Sequence, residues 1–392
     1  METRLNASPV DSLASSEVVG LLQDLVRIPS VNPSIAPIEA QNETAVATFA
    51  RDWLMARGVR ARLEEAAPGR PNTFGLVGDG DGPVLVLCAH LDTVGTAGMT
   101  IPAWEPRLED GRVYGRGSYD MKAGAAAAMS AAAALAREPG ALGTGRLKLA
   151  LVADEEYTSL GADDFVRRHR ADGCILTEPS EERLVLAHKG FVWVELVTRG
   201  RAAHGSRWDL GLSAIGRMGR IVAALERFDA ERLRRRTHPL VGPASLHCAL
   251  IEGGQGLSTY APECRLKIER RTLPGETPEQ ALAEIEAVVR DIGEEAESRR
   301  LFDRSPLTCD REAPIARCVR EAATRVCGSA PEEIGVGYWM DAAIFAQAGI
   351  PTVNYGHGGA GAHEAVEWAD VESTVRCARV LAEAARDFMT RG

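Results

Sequence analysis

Val84-Leu85-Val86-Leu87-Cys88 runs straight into Ala89-His90-Leu91-Asp92. An unbroken apolar run of this length predicts a strand covered on both faces, as in parallel sheets; a half-exposed strand would alternate. Three other runs share the design. Leu147–Val152 (LKLALV) leads into Ala153-Asp154-Glu155-Glu156, and Cys174–Leu176 into Thr177-Glu178-Pro179. Pro351–Val353, after a helix ending at Gly349, leads into a glycine-rich loop that holds His363. Helical patterns lie between them. Val18, Leu21, Leu22 and Leu25 share one face of Glu17–Arg27, which stops at Ile28-Pro29, and Glu43–Arg57 is closed by Gly58. The fold class expected is α/β, with a mixed, largely parallel sheet and flanking helices. Functional groups in such sheets gather beyond the carboxyl ends of the strands. Here each strand is followed there by His, Asp or Glu.

The pattern changes after Ala187. Phe191–Thr198 (FVWVELVT) predicts a strand, Leu212–Phe228 a helix, and Ala244–Ile251 and Cys264–Thr272 two more strands. Thr277-Pro278-Glu279-Gln280 then opens a helix, with capping-box spacing and proline at the first helical position. A last strand is expected near Ser305–Cys309. The order β-α-β-β-α-β is that of a ferredoxin-like unit. An inserted α+β domain is therefore expected at 187–306, interrupting a catalytic domain made of 1–186 and 307–392.

A chain of 392 residues, 45 % apolar and 26 % charged, is long enough for two such domains. Its formal charge of −10 leaves no broad basic face for phosphates, so no nucleic-acid partner is expected. The basic run Arg232–Arg236 reads as a solvated helix end. Ala123–Ala136 is too short and too alanine-rich to span a membrane. Met1–Ser16 lacks the basic-then-apolar pattern of an export signal. Eight cysteines without a CxxC pair fit reduced thiols, so the expected location is cytoplasmic.

Taken singly, the polar residues at the strand ends read two ways. His90 with Asp92 could be a zinc ligand and its orienting carboxylate, or a satisfied strand-end histidine. Asp120, opening a helix after Gly115-Arg116-Gly117-Ser118, could be a ligand or an N-cap. Glu178 could be a ligand or a turn residue. Adjacent Glu155 and Glu156 would repel each other at the end of a buried strand unless a cation or a shared proton intervenes. Metal-assisted hydrolysis uses such a pair, one holding the metal while its neighbour takes a proton from water. As a group these residues suffice for two zinc ions sharing one carboxylate, and the same donors would accept Co²⁺ or Mn²⁺. The chain has no Walker A sequence, no G-x-S-x-G elbow and no full dinucleotide fingerprint.

Ala89-His90-Leu91-Asp92-Thr93-Val94, Gly115-Arg116-Gly117-Ser118-Tyr119-Asp120-Met121-Lys122, Asp154-Glu155-Glu156 and Gly361-Ala362-His363-Glu364 occur in this order. The set resembles the family of acetylornithine deacetylase, succinyl-diaminopimelate desuccinylase, aminoacylases and bacterial glutamate carboxypeptidase, over about Val18 to Phe388. The resemblance implies that His90, Asp120 and Glu178 hold one zinc and that Glu156, Asp120 and His363 hold the other. It implies Glu155 as general base, Asp92 as the group orienting His90, and a dimerisation or lid domain as the insertion. His204, in Ala202-Ala203-His204-Gly205-Ser206, matches a lid histidine that stabilises the oxyanion in the partner subunit of a homodimer. Arg271 matches a lid arginine for the substrate carboxylate. Three positions depart from the family pattern: Thr259 where asparagine is common, Met340 where Ser or Thr precedes the Asp, and His357 where proline is usual. His357 reads as a neutral loop variant. The expected reaction is deacylation of a small N-acyl amino acid. Cleavage of a dipeptide beside a free carboxylate stays open, as does a binding protein that has lost the chemistry.

Overall fold

The computed structural model describes residues 13–39 and 41–391, so residues 1–12 of the Met1–Ser16 stretch lie outside the described residues. The chain divides into two compact units: Met1–Leu186 with Cys309–Ile334 and Met340–Gly392, and Ala187–Thr308 with Gly335–Trp339.

The first unit is built on a mixed sheet. Its strands run in the order Arg60–Ala67, Arg70–Val77, Arg146–Val152, Val84–His90, Gly173–Leu176, Thr352–Tyr355 and Leu184–His188, the last of which carries the chain out of the unit. Successive pairs from Arg146–Val152 to Thr352–Tyr355 are parallel, and the flanking pairs are antiparallel. All seven residues of Val84–His90 are buried, which is why the run needs no polar alternation. The parallel register sets His90 beside Val152 and Cys88 beside Leu176. His90, Asp154–Glu156 and Glu178 therefore emerge from one edge of the sheet.

The hairpin Arg60–Ala67/Arg70–Val77 is invisible as an apolar pattern. Its outer strand reads RARLEEAA, pairs on one side only and exposes much of its length. Ala123–Ala136 forms a helix whose first thirteen residues are buried on every side. It packs against the Ser15–Arg27 and Val371–Arg391 helices, and side chains that are mostly alanine methyls let those neighbours approach. That helix starts at Ala123, not at Asp120: Asp120 has an extended backbone (φ −114°, ψ 95°) and is no N-cap. Among the described residues no helix is long and apolar enough to cross a membrane.

The second unit has a four-stranded antiparallel sheet in the order Ser245–Gly253, Glu263–Thr272, Gly190–Arg199, Glu297–Arg304. Val192, Val194 and Leu196 join Met218, Ile221, Leu225 and Ile285 of the helices Ala214–Glu231 and Pro278–Asp291 in its core. The capping box at Thr277 is formed in both directions. The fourth sheet strand is Glu297–Arg304, not the segment near Ser305–Cys309, where only the short Leu307–Thr308 pairs. The sequence ESRRLFDR carries little apolar signal because this strand lies at an edge and bonds on one side only. Gly335–Trp339 also belongs to this unit: Trp339 Nε1 donates to the Ser305 carbonyl at 3.0 Å, and its ring meets Phe191 edge-on.

Candidate metal centre

At the carboxyl edge of the first sheet, two groups of three ligands share one residue. His90, Asp120 and Glu178 form the first, and Asp120, Glu156 and His363 the second; within each, the ligand atoms lie within 4.8 Å of one another. His90 Nδ1 donates to the Asp92 carbonyl at 2.9 Å, which directs Nε2 at Asp120 Oδ1, 3.1 Å away, and at Glu178 Oε1, 3.5 Å away. His363 Nε2 stands 3.0 Å from Glu156 Oε2 and 3.4 Å from Asp120 Oδ2. The His363 backbone is left-handed (φ 61°) in a loop opened by Gly359 and Gly361. The peptide between Asp120 and Met121 is cis.

The charges explain what this arrangement accepts. Burial and the surrounding carboxylates push Glu155, Glu156 and Glu178 above their ordinary range. Burial opposes the charged form of His90 too, but the Glu178 charge and the Asp120 hydrogen bond outweigh it and hold its pKa well above the usual value. His363 is raised to about 10, chiefly by its hydrogen bonds to Asp120 and then Glu156. Asp341, fully buried at the start of the Ala342–Gln347 helix, adds a further carboxylate whose field reaches Glu155 and Glu178. Such a cluster is short of positive charge. Two divalent cations would relieve it, and imidazole mixed with carboxylate suits zinc. The residues therefore fit a dinuclear centre.

Glu155 differs from its neighbour. Its carboxylate is in neither ligand group and accepts no hydrogen bond among the described residues. Its backbone N–H, like that of Glu156, donates to the Asp92 carboxylate, at 3.1 and 3.2 Å. Asp92 thus holds the ends of two strands at once: its carbonyl takes the His90 ring, and its side chain takes the Glu155-Glu156 turn.

Several supports carry no sequence signal. Asn32 Nδ2 bridges Asp92 Oδ2 (2.8 Å) and Asp154 Oδ1 (3.0 Å), and Arg70 joins Asp154 (2.9 Å) to buried Glu43 (2.6 Å). Asp154 has φ 71°, a strained conformation for a residue with a side chain, and these bonds hold it there. Glu367 accepts from Gly117 N (2.9 Å), Tyr119 N (3.0 Å), Asp120 N (3.0 Å) and Arg116 Nη1 (2.7 Å), so one buried carboxylate fixes the whole Asp120 loop. His357, read as a neutral loop variant, packs inside the fold. It is wholly buried, its Nε2 donates to the Tyr119 carbonyl at 3.0 Å, and burial pushes its pKa down to about 4.

His204 and Arg271 lie in the second unit, outside the two ligand groups. His204 is exposed, and its Nδ1 meets Ser206 Oγ at 2.8 Å. Thr259 sits beside it through a backbone bridge. Arg271 Nε donates to Glu269 at 2.7 Å, and its guanidinium lies 5.4 Å from the Phe191 ring. Met340 is buried in the first unit.

The chain is similar to known proteins along most of its length. Residues 86–387 match peptidase family M20/M25/M40. An acetylornithine deacetylase of Myxococcus xanthus is 29 % identical over 385 residues, covering 92 % of this chain and 98 % of that one. A probable succinyl-diaminopimelate desuccinylase of Staphylococcus epidermidis is 24 % identical over 340 residues, 79 % of this chain and 82 % of that one. Aminopeptidase PepT from Bacillus cereus superposes with a TM-score of 0.78 at 20 % identity, covering 96 % and 99 % of the two chains, which speaks to the fold. The family match spans most of the chain and contains every proposed metal ligand. This chain belongs to peptidase family M20/M25/M40 and is a metal-dependent hydrolase of amide bonds.

Proposed function

We propose that this enzyme deacylates a small N-acyl amino acid, in the manner of an acetylornithine deacetylase, with zinc held by His90, Asp120 and Glu178 and by Asp120, Glu156 and His363. The observation that carries this reading is a shared Asp120 between two ligand groups, beside a half-buried Glu155 whose carboxylate accepts no hydrogen bond among the described residues. Bound there, two divalent ions polarise a carbonyl and lower the pKa of water toward neutrality. Glu155 takes the proton of the attacking water and later delivers it to the departing amine nitrogen; burial, which raises its proton affinity, supports that role. Asp92 orients His90 and aligns the Glu155-Glu156 turn. His204 donates to the oxygen that gains charge, and Arg271 meets the substrate carboxylate through its guanidinium fork.

The inserted unit, over about 187–306, acts as a lid and joins two copies in a homodimer. Its Ser245–Gly253 edge strand exposes Leu250 and Ile251, near exposed Leu257, whereas the opposite edge, Glu297–Arg304, is charged. An apolar free edge of that kind favours pairing with a second copy. Eight free cysteines, most of them buried, support a cytoplasmic location.

A second reading, cleavage of a dipeptide beside its free carboxylate, is favoured by the face that carries Arg271. Phe191, Trp193, Phe302 and Trp339 pack together there, with ring centroids 5.2–6.1 Å apart, and Trp193 is exposed. That face suits an apolar side chain better than a cationic one.

The test is Glu155→Gln against N-acetylornithine, a panel of N-acetyl amino acids and a panel of dipeptides. The reading predicts hydrolysis by the parent protein, and a variant that keeps its metal and loses turnover. Full activity in the variant would overturn it. Preference for dipeptides would select the second reading.

A further inference from the structure

Glu178 and Asp120 reach the first ligand group from separate loops, and both loops rest on the segment 354–357. The Glu178 loop is stitched to it by backbone and small side chains. Asn354 Nδ2 donates to the Glu178 carbonyl (3.1 Å), Gly356 N to Ser180 Oγ (2.9 Å), and Glu182 N to the Gly356 carbonyl (3.0 Å). Ser180 N and Glu181 N both donate to the His357 carbonyl, at 3.2 and 3.1 Å. The fit is close enough that a Cβ on Gly356 would stand 2.1 Å from the Glu178 carbonyl oxygen.

The Asp120 loop meets the same segment through the ring of His357. Nε2 donates to the carbonyl of Tyr119, the residue immediately before Asp120, at 3.0 Å. The imidazole stands edge-on to the Tyr119 ring with centroids 5.7 Å apart. Glu367 already fixes the N–H groups of Tyr119 and Asp120, so the Tyr119 carbonyl is the complementary handle on that turn. The His357 backbone therefore grips one ligand loop and its side chain the other. Its Nδ1 has no protein partner among the described residues, so the ring's one polar contact is the bond to Tyr119.

We infer that His357 is a positioning residue that ties the Asp120 loop to the Glu178 loop and so sets the spacing of the two carboxylates in the first ligand group. This rests on the dinuclear reading given above. Partners one step behind the ligands, when removed, typically cost about 10–100-fold in metal affinity. Leucine fills much of the ring's volume without a donor, whereas the side-chain amide of glutamine can present an N–H at the distance of Nε2.

The experiment is zinc titration of the chelator-stripped full-length protein against a competing chromophoric chelator, for the parent, His357→Leu and His357→Gln, with thermal unfolding of each stripped protein alongside. Two zinc equivalents are expected for the parent. In His357→Leu at least one should weaken about 10–100-fold, and His357→Gln should recover most of the loss. The recovery separates positioning from general damage, because both variants lose the imidazole. Parent-like zinc affinity in His357→Leu would overturn the inference, and so would a His357→Gln protein no better than His357→Leu. A parent protein that takes up no zinc would instead overturn the dinuclear reading, and this inference with it.

Discussion

Around Asp120 the turns that carry His90, Asp120 and Glu156 are held by buried partners, whereas His204, in the other unit, is exposed and among the described residues its ring bonds only to Ser206, two residues along. Asp92 and Glu367 are both wholly buried and accept main-chain N–H groups of the very turns that bear the ligands. The two regions sit at opposite ends of a scale of preorganisation. A site that must hold charged ligands in fixed geometry needs rigid support from its own chain. A residue that acts only when substrate is bound can wait, loosely held, for closure or for a second copy. On this account the first unit supplies the chemistry and the second the selectivity and the finishing contact.

Four substitutions probe that contrast. Glu155→Gln removes the proton acceptor and should lower kcat by about 10²–10⁴-fold, with metal content by elemental analysis unchanged; a small loss would mean the proton goes elsewhere. His204→Ala should lower kcat by about 10²–10³-fold, the usual cost of one oxyanion donor. Because the ring is exposed, thermal unfolding should not move; a large fall in Tm would show that His204 supports the fold instead. Glu367→Gln should weaken zinc binding by about 10–100-fold in competition titrations, although Glu367 is no ligand. It should also lower Tm, since buried Arg116 loses its counter-charge. Arg271→Lys keeps the charge but loses the fork, and should raise KM by about tenfold, near the value of one charged hydrogen bond. An unchanged KM would remove Arg271 from carboxylate recognition.

How far the molecule could be read from its residues follows the same divide. The apolar runs ending at Cys88, Val152 and Leu176 flagged His90, Glu155, Glu156 and Glu178, because buried parallel strands have a pattern and the polar residues after them break it. Asp120 and His363 sit on irregular backbone, where each read equally as a cap or loop residue, and the ordered motifs of a known family sharpened their reading as ligands. Glu367 left no mark at all. It lies 247 residues from Asp120 in sequence, and its role is to accept backbone N–H groups that any residue would offer. The burial of His357 left no mark for a related reason: a Gly-His-Gly turn carries no apolar pattern, and packing between loops distant in sequence buries the ring. The strands Arg60–Ala67 and Glu297–Arg304 were missed because edge strands keep charged side chains and carry little periodicity.

A dinuclear hydrolytic centre in the first unit would hold two metal ions between His90, Asp120, Glu156, Glu178 and His363. Elemental analysis of the purified full-length protein, before and after exhaustive chelation and paired with hydrolysis of N-acetylornithine and the two substrate panels, tests it most directly. The account predicts about two zinc equivalents per chain, hydrolysis that disappears on chelation, and recovery when zinc is returned. A protein that holds no metal and stays inactive after zinc is restored would contradict it.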